Sequence, residues 1–169
     1  MFDRGDRGRC LAVIRTLPIP QPFDLERFRL RLGCDRGRAL RLVAASGVSG
    51  GLWIATADED HIFYPKDAPA LDQLHVIARE IGHMVLGHAG APAAASEIAR
   101  LLLPAFEPEL VVRTLVHTGY TAKDQQEAEL FALLLLDHIE VEESAGAGGR
   151  PPAGQQAETN TEALELAQR

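Results

Sequence analysis

The stretch Leu74-His-Val-Ile-Ala-Arg-Glu-Ile-Gly-His-Met-Val-Leu-Gly-His88 constrains this chain more than any other. It is mostly apolar, yet Arg79, Glu80 and His83 stand near its middle. On a helix advancing about 100° per residue, Glu80 lies about 60° from His83 and Arg79 about 40° from it on the other side. The three polar groups form one patch on a helix whose remaining faces are apolar enough to be buried. A buried carboxylate without a partner costs several kcal/mol, so Glu80 must meet a counter-charge or a polar cavity. A chain with this helix has to build the rest of its fold around a polar site.

The surrounding pattern sets the architecture. Three prolines, Pro18, Pro20 and Pro22, separate a first helix (about 7–16) from a second. Asp24 suits the N-cap of that second helix over Leu25–Leu32, and Gly33 suits its C-terminal end. Ala39–Ala45 alternates like a half-buried strand, and Leu52–Ala57 and His61–Tyr64 flank the acidic turn Asp58-Glu59-Asp60. The economical arrangement is a three-stranded antiparallel meander. Asp67 can cap a helix over Leu71–Gly87, stopped by Gly90 and Pro92. Ser96 opens a helix holding Ile98, Leu101 and Leu102, Glu109–Val116 forms another, and Thr121 with Asp124 makes a capping box for a last helix to about Ile139. Phe131–Leu136, apolar on all sides, makes that last helix a core element. The order of helices, small sheet and helices is α+β.

Charge and composition narrow the class. With 169 residues, 46% hydrophobic and 24% charged, the chain can bury one real core. Residues 140–169 carry Glu140, Glu142, Glu143, Glu158, Glu162 and Glu165 against Arg150 and Arg169, a net of −4, which leaves −3 for the rest. Ser144–Gly154 has no apolar side chain larger than alanine or proline, so 143–169 reads as a disordered tail after a domain over 1–142. A net charge of −7 argues against direct nucleic-acid binding. The longest apolar run, Leu130–Leu136, is far shorter than the ~20 residues of a membrane span. The acidic start lacks a secretory h-region, and Cys10 and Cys34 have no metal-type spacing, so a reduced, cytoplasmic setting is expected.

The segment Arg79-Glu80-Ile81-Gly82-His83-Met84-Val85-Leu86-Gly87-His88 resembles the motif helix of the ImmA/IrrE-type metallopeptidases, a zincin-like family whose helix reads His-Glu-x-Gly-His and then Gly-His. Gln126-Glu127-Ala128-Glu129-Leu130-Phe131-Ala132 is similar to that family's later Glu-Ala-x-x-Phe-Ala. The resemblance spans about 20–140, including Pro22-Phe23-Asp24. It implies a zincin-like fold, with Glu80 as general base and His83 and Glu127 as zinc ligands. In such a motif two imidazoles at i and i+4 chelate one ion while the intervening Glu takes a proton from bound water.

The chain departs at the first position. Arg79 stands where the family has His, and a guanidinium has no lone pair to give a metal. Catalytic zinc takes three protein ligands and a water, and only His83 and Glu127 remain. His75 is about 12 Å along the helix from His83, too far for a common ion, and His88 is about 7.5 Å along and 140° round, so it points elsewhere. The expectation is that Arg79 occupies part of the metal's space and pairs with Glu127 or Glu80. For Glu127 a solvated place in the first turn of the last helix remains open. His117 and Tyr120 are candidates to line the cleft.

The reading is therefore a non-catalytic, degenerate metallopeptidase-like protein acting as a regulatory protein-binding module. No cofactor is expected, with zinc only where the site still functions. The resemblance implies a helix-turn-helix regulator as partner. The alternatives are an active zinc endopeptidase that cleaves such a regulator or an antitoxin, and the toxin of a toxin–antitoxin pair.

Overall fold

A computed structural model describes residues 3–46, 50–56, 58–88, 115–117 and 120–147. The chain is α+β. The helices are α1 (Arg4–Ile14), α2 (Leu25–Arg36), α3 (Ala70–Leu86) and α4 (Ala122–Ala147), and the strands are β1 (Ala39–Ala45), β2 (Leu52–Ala55), β3 (Glu59–Pro65) and β4 (Leu115–His117).

Local chemistry explains most boundaries. Asp24 caps α2 as expected, its carboxylate accepting from the Arg27 N–H at 2.7 Å. The helix runs past Gly33, because Gly33 supplies a close approach rather than a stop: a Cβ there would lie 2.9 Å from the Arg38 carbonyl oxygen. Gly37, at φ 65°, takes the left-handed C-cap instead. Asp67 does not cap α3. Pro69 holds the N-cap position, and the Gln73 side chain donates to the Lys66 and Ala68 carbonyls at 2.8 and 2.9 Å. The capping box of α4 forms, with the Thr121 hydroxyl 2.7 Å from the Asp124 carboxylate and the Asp124 N–H donating back at 3.1 Å.

The expected antiparallel meander is corrected. The sheet is mixed, with order β1-β3-β2-β4, and β1 runs parallel to β3. The reason lies in burial. Asp60, His61, Ile62 and Phe63 of β3 are buried in succession, so β3 belongs inside the sheet with a neighbour on each side. β1 alternates, with Arg41 exposed, and sits at an edge. A meander would have put the short β2 in that central place.

Leu115 and Val116, expected to close a helix begun at Glu109, are strand: β4 pairs antiparallel with β2, Ile54 opposite Val116. Apolar β-favouring residues beside an open strand gain more from the ladder than from one helical turn. The helix expected after Ser96 lies outside the described residues, as do Gly90 and Pro92. The last helix continues beyond Ile139 to Ala147, into the segment read as tail, since extending a formed helix costs little. Residues 148–169 lie outside the described residues.

The core places the site. Ile77, Ala78, Ile81 and Met84 of α3 meet Leu130, Phe131, Leu134 and Leu135 of α4, all buried. The buried Ile, Leu, Met and Phe side chains among them contribute roughly 1.5–3 kcal/mol each over exposure. Gly82 lets the helices close, because a Cβ there would lie 2.9 Å from the Phe131 ring. Cys10 and Ile14 bring α1 onto the same core, and Trp53 adds its own ring while donating to Asp60 at 3.1 Å. Phe131–Leu136 is mostly core, although Leu133 is exposed. Among the described residues no helix is long and apolar enough to cross a membrane.

Candidate functional site

The acid and the histidine in the middle of α3 do not face solvent. Glu80 is 2% exposed and His83 0%. The Arg79 guanidinium donates to Glu80 Oε1 at 3.2 Å. Burial pushes the Glu80 carboxyl above its usual range, with Arg79 and the Trp53 backbone N–H pulling the other way. The chain entering β2 passes so close that a Cβ on Gly51 would lie 2.7 Å from Cδ of Glu80. The base position of the motif is thus roofed by backbone and held by arginine.

α3 ends differently from a continuous helix. Gly87 adopts φ 74°, and the His88 N–H bonds the His83 carbonyl at 3.0 Å. That reversal swings His88 back, so that its Nδ1 lies 2.9 Å from Nδ1 of His83. The expectation that His88 points elsewhere assumed unbroken helical geometry and is corrected. The other ring nitrogen of His88, Nε2, lies 3.1 Å from Oε2 of Glu127.

Glu127 is buried, 3% exposed, which removes the solvated reading of it. Its counter-charge is Arg9 of α1. The Arg9 Nη1 donates to both carboxylate oxygens, at 2.9 and 3.0 Å, and Nη2 donates to the Leu86 carbonyl at 2.8 Å. Leu86 is the last residue of α3, whose carbonyl has no partner within the helix. One guanidinium therefore ties α1, the end of α3 and the start of α4.

Tyr120, just before α4, stacks on His83 with ring centroids 3.6 Å apart and planes 12° from parallel. Burial and the charges of Glu80 and Asp124 push its phenol above the usual range. His83 is pushed down to about 4, by burial first and then by the neighbouring His88 and Arg79. The Asp124 carboxylate and then the Gln125 side chain pull the other way. His83 Nε2, Tyr120 Oη and Arg79 Nε are buried without hydrogen-bond partners.

Of the residues singled out from sequence, Arg79 meets Glu80 rather than Glu127, and Glu80, His83, Glu127 and Tyr120 gather in one region. His117 lies in β4 opposite Trp53, and its side chain lies outside the described residues. His75 pairs with Glu129 at 2.9 Å, away from this cluster. Sequence reasoning missed Arg9 and His88. Gly87 was the available signal for His88. Arg9 had none, because its partner is 118 residues away.

The zinc implied by the resemblance does not fit this donor set. Arg79 cannot ligate. Glu127 has both oxygens against Arg9, and His88 spends one nitrogen on His83 and the other on Glu127. The nitrogens of one imidazole point apart, so His88 cannot converge with both neighbours on one ion. His83 Nε2 is the one ring nitrogen of this trio left open, whereas catalytic zinc needs three protein ligands. Among the described residues no group of three His, Cys, Asp or Glu side chains is placed to hold a metal ion. No family profile, no curated protein and no solved structure matches the chain.

Proposed function

We propose that this chain is a degenerate metallopeptidase-like protein of the zincin-like, ImmA/IrrE type that works without catalysis as a regulatory protein-binding module. The observation that carries the reading is the pair of arginines. Arg79 neutralises Glu80, the general-base position, and Arg9 neutralises Glu127, the distal-ligand position. Each acid that would serve a zinc-bound water has a fixed internal cation instead. β4 stands beside β2, the strand that reaches Glu80, and among the described residues it pairs with β2 alone. Such an edge offers main-chain hydrogen bonds to an extended segment. The partner is a helix-turn-helix regulator, met in the cytoplasm without direct contact to nucleic acid or membrane.

The test mixes the purified chain with each purified helix-turn-helix regulator of its own genome, with and without zinc. Size-exclusion chromatography and intact-mass measurement then report complex formation and cleavage. The expected result is a complex containing the regulator at full length under both conditions. A shortened regulator in the zinc sample, or no complex at all, overturns the reading.

A further inference from the structure

We propose that the outward face of α2 docks on the outward face of α4 in a second copy of this chain. The two helices lie parallel, with Arg27 against Asp137, Arg31 against Glu140 and Leu30 against Val141. Asp137 stands about 15 Å along α4 from Glu127, so the contact uses no residue of the site above and goes beyond the reading given for it.

The charge of the chain is divided along its length. Residues 1–46 carry ten arginines against five acids, a net of +5, which leaves −12 for the rest. On α2, Phe28 and Leu32 enter the core, and turned away from them stand Arg27, Leu30, Arg31 and Cys34, all exposed. On α4, Leu135 and Ile139 enter the core, and turned away from them stand Asp137, Glu140, Val141 and Ser144, again all exposed. Leu30 and Val141, 52% and 58% exposed, are two of the four exposed large hydrophobic side chains among the described residues. Arg9, Arg29, Arg36, Arg38 and Arg41 each meet a carboxylate within the chain. Among the described residues the side chains of Arg27, Arg31, Asp137 and Glu140 meet no opposite charge. One chain therefore presents two helix faces of opposite charge, each with an uncovered apolar side chain.

The two faces also match in register. Both use positions i, i+3, i+4 and i+7, but the middle two exchange roles. On α2 the apolar Leu30 lies about 60° to one side of Arg27 and the charged Arg31 about 40° to the other. On α4 the charged Glu140 lies about 60° to that same side of Asp137 and the apolar Val141 about 40° to the other. When parallel helices face each other, the left side of one meets the right side of its partner. The exchange therefore brings Arg31 onto Glu140 and Leu30 onto Val141, flanking the Arg27–Asp137 pair at heights that agree within about 1.5 Å. Cys34 then faces Ser144, two small side chains that let the helices stay close. An antiparallel arrangement can still pair the charges, but it sends Leu30 and Val141 to opposite sides of the seam. A phosphodiester surface would suit the arginines but not the leucine between them, and would leave the α4 face unused. Two short helix faces make a contact below the standard interface size, with rim charges open to salt, so the association is weak and salt-sensitive.

The test is sedimentation equilibrium of the full chain from the micromolar to the millimolar range, at low and high salt. The expected result is self-association that weakens as salt rises. Arg27→Glu with Arg31→Glu should raise the dissociation constant about tenfold or more, and so should Asp137→Arg with Glu140→Arg. Mixing the two variants, or combining all four changes in one chain, should restore the native constant, which a loss of fold could not do. All four positions are exposed, so the variants are expected to fold, and Arg27→Gln with Arg31→Gln replaces the first pair if circular dichroism shows it unfolded. The register has its own readout: under a thiol oxidant, Ser144→Cys should form a disulfide with Cys34 of another copy, and Arg27→Glu with Arg31→Glu should suppress it. A native chain that stays monomeric at low salt overturns the inference and leaves the two faces to a partner of another kind. Charge reversals that weaken association but are not repaired by mixing overturn it as well.

Discussion

Replacing Arg9 with Met separates a surface ion pair from one that sustains a buried charge. The two ends of the pair differ sharply, since the Arg9 side chain is 53% exposed and that of Glu127 is 2% exposed. An exposed pair is worth about 0–1 kcal/mol, while stranding one partner of a buried pair costs about 3–5 kcal/mol. Arg9→Met removes two hydrogen bonds to Glu127 and one to Leu86, but His88 stays and water reaches the gap from the open side. We expect a loss of about 2 kcal/mol, which at about 2–4 °C per kcal/mol lowers Tm by roughly 4–8 °C. Urea unfolding followed by the single tryptophan, the buried Trp53, gives the free energy directly. A double-mutant cycle with Glu127→Gln should return a coupling of about 1–2 kcal/mol. Coupling below about 0.5 kcal/mol would mean that the pair is an ordinary solvated contact, and the argument that Arg9 is the site's internal cation would fail.

Three further outcomes follow from the packing and the titrating groups. His83 has a folded-state pKa of about 4 against an ordinary 6.5, so the unfolded chain takes up the proton first. Its contribution is therefore complete above pH 6.5 and lost as pH falls through 4, about 3 kcal/mol across that window; urea midpoints at pH 7 and 5 should show about 2 kcal/mol of it, and His83→Gln should flatten this part of the profile. Gly82→Ala gains about 1 kcal/mol of helix propensity but forces a Cβ to 2.9 Å from the Phe131 ring, so calorimetry should show net destabilisation of about 1 kcal/mol. A thiol reagent should label exposed Cys34 in the native protein and reach Cys10 only on unfolding, because burial pushes the Cys10 thiol up to about 11.

What the sequence disclosed was local. Caps such as Asp24 and the Thr121–Asp124 box, the alternation of β1, and the buried polar patch on α3 are written within a few residues, and each stands where the local chemistry put it. Two kinds of information were not local. Strand order depends on which strand is buried on both sides, and a rule of pairing chain neighbours missed the parallel β1–β3 pair. The second kind is the counter-charge of Glu127. Arg9 is one of three arginines on α1, and only the packing of α1 on α4 brings it to Glu127. His88 lies between these cases. Gly87 before it was visible, but treating the helix as continuous hid the reversal that a left-handed glycine allows.

In the proposed reading Arg79 and Arg9 hold the acids that a metal would otherwise compensate. Zinc content by elemental analysis of tag-free protein tests it most directly, across the native chain, Arg79→His, Arg9→Met and the double variant, after equilibration with zinc and removal of the excess. Arg79→His supplies an i, i+4 pair with His83, but Glu127 stays bound to Arg9, so the account predicts metal near background in the native chain and both single variants. In the double variant Glu127 is released, and zinc approaches one equivalent. One equivalent of zinc on the native chain would contradict the account, because an ion would then be bound where the structure has already satisfied the acids with arginine.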